Sequence, residues 1–154
     1  MIQNSTNIPD QLIGIAMALA LKELEVPPPR EVVVKNKKRG NIKGQWGWYF
    51  RSDQRVVLIV PRTLTLFRER MKYTKQVLEL RSRADFVVAV MSHELRHHWQ
   101  TFNWNTEKSR WKLGYTPEAI LAKEVDAEMF EVKMMGIWRK LTDEVPALKA
   151  ASQS

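Results

Sequence analysis

The sequence has no cysteine and only three histidines. Without cysteine the chain can form no disulfide, offers no thiolate to a metal and has no cysteine nucleophile, so any metal ligand must be His, Asp or Glu. Long apolar runs are also missing. The most apolar segment, residues 13–21, spans nine residues and is far too short to cross a bilayer, and no Lys or Arg precedes it as in a signal peptide. We therefore expect a cytoplasmic protein with no membrane contact.

The composition is that of an ordinary globular protein whose positive charge is concentrated in one region. With 154 residues, of which 44% are hydrophobic, we expect a single domain over residues 1–154 with a frayed tail at 147–154. The net charge is +8, yet residues 30–75 alone carry 13 Lys or Arg against 3 Asp or Glu. Such a region can bind an acidic partner or nucleic acid, or can protect a sheet edge from strand addition.

The order of apolar patterns predicts an α+β fold. An N-terminal helix should start near Pro9-Asp10 and end before Pro27. Three short β-branched or aromatic segments joined by hairpin-sized loops then predict a small three-stranded meander. Ser82 and Thr116 are typical capping residues for two later helices. The predicted strands are residues 31–35, 45–50 and 55–60, and the later predicted helices are residues 64–73, 83–102 and 116–141.

All three histidines lie in the segment 93–98, within the predicted helix 83–102. His93 and His97 are four residues apart, so both imidazoles project from one helix face and can bind the same ion. Glu94 lies beside that face, where its carboxylate can reach a metal-bound water. His98 points about 100° away from His97 around the helix, which favours a structural role for that residue.

A third ligand must come from elsewhere in the chain, because a catalytic zinc usually has three protein ligands. No histidine follows His98, so a carboxylate must serve. The acidic segment 124–131 of the last predicted helix contains the candidates, with Glu124 and Asp126 as rivals.

A His-Glu-x-x-His motif followed by a helix with Glu-x-x-Ala-Glu resembles the gluzincin branch of zinc metallopeptidases, especially small ImmA/IrrE-like forms. The resemblance implies a zincin-like fold in which the last helix carries the third zinc ligand, here Glu124, and Ala127 lets two helices approach closely. It also implies that Glu128 orients a zinc-bound histidine from outside the coordination sphere. The sequence departs from the family pattern at Glu128, where Asp is commoner, and at Glu131, where Ala is commoner.

The function implied by the resemblance is hydrolysis of peptide bonds in a peptide or protein substrate with Zn²⁺ as cofactor. Zinc held by His93, His97 and Glu124 would activate a water, and Glu94 would act as the general base. A substrate strand could add to the edge of the small sheet.

Two questions stay open at the level of sequence. The first is which donor besides zinc stabilises the oxyanion: His98, Tyr115 and an arginine are candidates, and their spacing selects none of them. The second is whether the protein is an enzyme at all. The alternative is a nucleic-acid-binding or protein-binding regulator on a metallopeptidase-like scaffold, with residues 30–75 as its binding surface and Trp46 and Trp48 either stacking on bases or packing in the sheet.

Overall fold

The structure, a computed structural model, describes residues 1–38, 45–104 and 116–153. These residues form an α+β fold with a small mixed sheet, a separate hairpin and four helices, which confirms the expected class. None of these helices is long and apolar enough to cross a membrane. In chain order the elements are β1 (Ile2–Asn4), α1 (Asp10–Leu24), β2 (Glu31–Asn36), β3 (Gly47–Phe50), β4 (Arg55–Val60), β5 (Phe67–Arg70), β6 (Val77–Leu80), α2 (Arg83–Asn103), α3 (Pro117–Glu144) and α4 (Pro146–Ala151).

The main sheet is not the predicted meander. Its strand order is β1-β2-β4-β3, with β1, β2 and β4 parallel and β3 antiparallel to β4 at the edge. The reason is burial: β4 buries every second residue and β2 buries Val32 and Val34, so these two strands pair in the interior of the sheet. The aromatic strand β3 keeps Phe50 exposed and occupies the edge.

The predicted helix at residues 64–73 is also wrong. Residues 67–70 instead form β5, which pairs with β6 as an antiparallel hairpin. Its side chains alternate between half-buried and exposed, with Phe67 and Glu69 facing inward and Arg68 and Arg70 facing outward. A period of two suits a strand rather than a helix. Lys75 has a φ of 64° and accommodates the tight turn that joins the two strands.

The remaining helices start where the capping residues predict. The Ser82 side chain accepts a hydrogen bond from the Asp85 backbone N–H at 3.2 Å and starts α2. Thr116 does the same for the Ala119 N–H at 3.2 Å, with Pro117 in the first turn of α3. The first helix begins at Asp10, as expected. Pro146 follows α3 and opens the short helix α4, so residues 146–151 are helical.

The helix α2 lies at the centre of the fold. It packs against α1, β3, β4 and α3, and its N-terminal half is buried almost all round. Asp85 shows how tightly its first turn is held: the buried carboxylate accepts hydrogen bonds from the Arg81 backbone and from the Trp138 indole of α3, both at 2.9 Å. The second half of α2, which carries the three histidines, is therefore positioned against α3.

We predict that Ala127→Leu weakens both folding and metal binding. Ala127 is fully buried and lies one turn after Glu124 on α3. A larger side chain overpacks the core and should lower the free energy of unfolding by about 1–3 kcal/mol, and it should push α3 away from α2. Denaturant unfolding and zinc titration measure the two effects. Met129→Leu, at an exposed position of the same helix, is the control. Wild-type values for Ala127→Leu would show that this residue does not limit the approach of the helices.

Candidate metal centre

Three side chains from two helices converge on one point. Glu124 of α3 places its Oε2 3.1 Å from His93 Nε2 and its Oε1 3.1 Å from His97 Nε2. The two imidazoles meet edge to face, with ring centroids 4.9 Å apart. One ligand atom from each of the three residues lies within 4.8 Å of the others, so the group could hold a metal ion. Of the two rival carboxylates, Glu124 is thus the one that lies against both histidines.

Hydrogen bonds fix the orientation of the His97 ring. Its Nδ1 lies 2.9 Å from Gln100 Oε1. The amide nitrogen of Gln100 donates to the Lys123 carbonyl at 3.0 Å and to Asp126 at 2.8 Å, so the amide oxygen must face His97. Nδ1 therefore carries a proton, and Nε2 is the nitrogen that faces Glu124 and any metal there.

Asp126, the rival third ligand in the sequence, faces a different partner. Its carboxylate makes two hydrogen bonds to the Arg96 guanidinium, at 2.7 and 3.1 Å. It also accepts the bond from Gln100, and so acts on His97 only through that amide. The bidentate pair holds Asp126 away from the metal-binding group.

His93 is oriented by Glu131, not by the residue that the family resemblance implies. His93 Nδ1 lies 3.1 Å from Glu131 Oε2, and the Glu131 side chain is almost completely buried. Glu128 instead accepts hydrogen bonds from the backbone N–H groups of Tyr73 and Thr74 and from the Thr74 hydroxyl, at 2.8–3.1 Å. The expected role of Glu128 is therefore corrected: its carboxylate anchors the turn of the β5–β6 hairpin to α3.

His93 and Glu124 shift each other's pKa. Burial alone lowers the pKa of His93, but its hydrogen bonds to Glu124 and Glu131 raise that pKa well above the ordinary value. Burial likewise tends to raise the pKa of Glu124, yet the bonds to His93 and His97 hold it well below its usual range. The two shifts favour a proton shared between the His93 nitrogen and the Glu124 carboxylate in the metal-free protein. A divalent cation can replace it, because all three groups are metal ligands in the deprotonated form.

Glu94 lies next to this group without a hydrogen-bonding partner among the described residues. Its side chain is only 6% exposed, and burial raises the pKa of its carboxyl while the nearby histidines oppose that shift. It lines the same cavity as His93, His97 and Glu124. A buried carboxylate that faces a cavity beside a metal-binding group is placed to exchange a proton with a bound water.

The group opens into a cavity of about 1110 Å³. One wall is the edge strand β3, another is the β5–β6 hairpin, and the floor consists of α2 and α3. Four of the five acidic residues in the lining lie on the floor, whereas the basic ones are spread over the segment after β3, the hairpin turn and α3. The acidic lining residues are Glu69, Glu94, Glu124, Glu128 and Glu131, and the basic ones are Arg51, Lys72 and Lys123.

Of the two residues named above as candidates for stabilising the oxyanion, His98 and Tyr115, the structure describes only His98. His98 is fully buried and faces away from the other histidines: its Nδ1 lies 2.9 Å from the Tyr49 hydroxyl and its Nε2 lies 2.8 Å from the Pro27 carbonyl. Burial lowers its pKa. His98 therefore joins α2 to β3 and to the segment after α1, in agreement with a structural role. Tyr115 lies outside the described residues.

The aromatic residues of the basic region have different surroundings, and Trp46 is used for packing. Trp46 meets Phe86 edge to face with centroids 4.9 Å apart, and Lys37 Nζ lies 4.8 Å from the Trp46 ring. Arg55 lies over the Phe50 ring. Trp48 lines the cavity. Base stacking by Trp46 would require it to leave its contact with Phe86, so the nucleic-acid hypothesis gains no support from this residue.

Sequence reasoning missed several residues of the site. Glu131 follows Glu124 by seven residues, which is two helical turns, and Gln100 follows His97 by three, so both lie on the correct helix faces. That periodicity could have drawn attention to them. Glu69 had no such signal, since it belongs to a segment that was predicted to be helical.

Comparison of the chain with protein-family models, with curated proteins and with solved structures found no match. Any functional conclusion therefore depends on the geometry of the site.

We predict that Glu131→Gln lowers the affinity for zinc about 10- to 100-fold, as is typical when the hydrogen-bonding partner of a ligating histidine is lost. The change keeps the shape but removes the charge from the group that accepts the His93 Nδ1 proton. Competition with a chelator of known affinity measures the effect. Asp143→Asn, an exposed change on the same helix, is the control. Unchanged affinity would mean that Glu131 does not support His93 in the metal-bound state.

We predict that Glu69 lowers the free energy of unfolding of the metal-free protein by an amount that grows with pH. Burial raises the pKa of Glu69 from 4.5 to about 7, and the neighbouring Glu131 adds to the shift. The folded state thus binds this proton more tightly than the unfolded state, so the contribution of Glu69 to stability falls as the pH rises from 4.5 to about 7. Glu69→Gln removes that penalty. Unfolding across this pH range should show an advantage for the variant that grows with pH, and a pH-independent difference would contradict the assignment.

Proposed function

We propose that the protein is a zinc-dependent metallopeptidase of the gluzincin type, with a zincin-like fold. The observation that carries the proposal is the convergence of His93, His97 and Glu124 on one point, in the same cavity as the buried Glu94. Two imidazoles and one carboxylate are the ligand set of several catalytic zinc sites, in which a fourth position stays open for water or substrate.

The donor atoms suit zinc as the resident metal. The Nδ1 atoms of both histidines face acceptors, Glu131 and Gln100, which leaves each Nε2 available to a metal. Nitrogen and oxygen donors on rigid helices favour a borderline cation such as zinc over calcium or magnesium, which prefer oxygen alone. The hydrogen bonds that fix the two imidazoles are those expected around a functional metal.

The chemistry divides between the metal and Glu94. Bound zinc would supply a Lewis acid that polarises the substrate carbonyl and acidifies a water molecule. Glu94 would accept a proton from that water on its carboxylate and pass it to the leaving nitrogen. The buried apolar side chain of Val90 lines the same cavity as Glu94.

The edge strand β3 offers a binding surface for an extended peptide. Ile59 N–H donates to the Trp46 carbonyl at 2.8 Å, so the alternation of an antiparallel ladder turns the backbone polar groups of Gly47 and Tyr49 away from β4. The Gly47 carbonyl accepts a hydrogen bond from the Gln45 side chain at 2.8 Å. A peptide strand could take the place of that amide and lie along the cavity, bound through its backbone.

Glu94→Gln tests the enzymatic proposal. The variant should keep its zinc, because Glu94 is not a ligand, and should lose peptide hydrolysis by a factor on the order of 10²–10⁴, the usual contribution of a general base. Elemental analysis and a peptide-cleavage assay on the purified proteins measure the two properties. Glu124→Ala should lose the zinc, and Glu118→Gln, exposed on the same helix as Glu124, should behave as wild type.

Two results would overturn the proposal. If Glu94→Gln cleaves peptides as fast as wild type, Glu94 is not the general base and the mechanism is wrong. If the wild-type protein binds zinc but cleaves no peptide in any of these assays, the binding-protein alternative on a metallopeptidase-like scaffold replaces it.

A further inference from the structure

Gly47 is the residue where the edge strand comes closest to the active-site helix. A Cβ atom at this position would lie 2.6 Å from Val90 Cγ1, 2.9 Å from Glu94 Cγ and 2.9 Å from Glu94 Oε1. Real Cβ atoms essentially never approach other heavy atoms this closely. Any side chain at position 47 therefore has to displace Val90, Glu94 or the strand itself.

The strand has little freedom to move away. Gly47 pairs with Leu58 in the ladder between β3 and β4, and the preceding Trp46 carbonyl accepts the Ile59 N–H at 2.8 Å. Leu58 is fully buried in the core, so β4 cannot follow an outward shift of β3. Glycine in a strand is otherwise less favourable than alanine, because its backbone loses more conformational freedom on folding. The close approach to α2 is the feature that requires glycine here.

We propose that Gly47 is a positioning residue for Glu94. Its bare backbone forms the wall against which the Glu94 side chain rests, and it leaves the carboxylate no space to turn towards β3. The wall therefore keeps the carboxylate on the side of His93 and His97. This inference rests on the proposed function, because the position of Glu94 matters for catalysis only if Glu94 is the general base.

The same residue also belongs to the edge that we propose as the peptide-binding surface. The Gly47 carbonyl is turned away from β4 and bonds to Gln45. The backbone that would bind the substrate strand and the backbone that confines the general base are then one segment. The distance between scissile bond and carboxylate is set by a direct contact rather than through a flexible side chain.

The test is Gly47→Ala in the zinc-loaded protein. Displacement of a catalytic group by about 1 Å costs on the order of 100-fold in rate, so kcat should fall roughly 10- to 100-fold, while KM and zinc content stay near the wild-type values. A crystal structure of the variant should show the Glu94 carboxylate displaced relative to His93 and His97. Gly136→Ala is the matched control, because a Cβ at that position meets nothing within 4 Å.

A second variant separates the positioning of Glu94 from general packing and relieves the tighter clash if Gly47→Ala folds poorly. Gly47→Ala/Val90→Ala removes the 2.6 Å contact but keeps both contacts with Glu94. We expect it to fold and to retain the loss in kcat relative to Val90→Ala alone. The inference is overturned if either Gly47 variant has full kcat, or if the crystal structures show Glu94 unmoved. Full kcat in Gly47→Ala with an inactive Glu94→Gln would refute this inference and leave the proposed function intact, whereas an active Glu94→Gln would refute the proposed function itself.

Discussion

The packing of α2 against α3 is the constraint on which the rest of the structure depends. Each helix alone presents only part of the site: two imidazoles on α2 and a row of carboxylates on α3. Their contact places one carboxylate, Glu124, 3.1 Å from both imidazoles. Ala127, one turn after Glu124 on α3, is fully buried, and α2 is packed on its other sides by α1, the sheet and the hairpin.

The site is rich in acidic residues, although the chain as a whole is basic. A protein with a net charge of +8 places five glutamates around one cavity. Three of them have clear partners within the described residues: Glu124 and Glu131 face histidines, and Glu128 binds the backbone of the β5–β6 turn. Buried carboxylates cost free energy unless they are paired or hydrogen-bonded. Glu94 and Glu69 have no such bond among these residues, and burial raises the pKa of both carboxyls.

Local sequence signals predicted the helices that carry the site but not the sheet that flanks it. The caps at Ser82 and Thr116 determined where α2 and α3 begin, because a side-chain acceptor for the first N–H groups is a local interaction. The sheet depended on which strands bury their side chains most completely, and that choice joins residues far apart in sequence. Local pattern therefore predicts a meander, whereas β4 lies between β2 and β3, and it predicts a helix at residues 67–70, which form a strand.

The sequence by itself determined the identity and spacing of the candidate ligands. His93 and His97 share a helix face at any position in space, and the lack of cysteine and of later histidines required a carboxylate. Only the tertiary structure decided how each ligand is supported. It assigned Glu131 rather than Glu128 to His93, directed His98 towards Tyr49 and Pro27, and brought Gly47 against Glu94. Those contacts join residues up to 71 positions apart in the sequence. They depend on how each packed element is rotated against its neighbour, and the periodicity of the sequence does not encode that rotation.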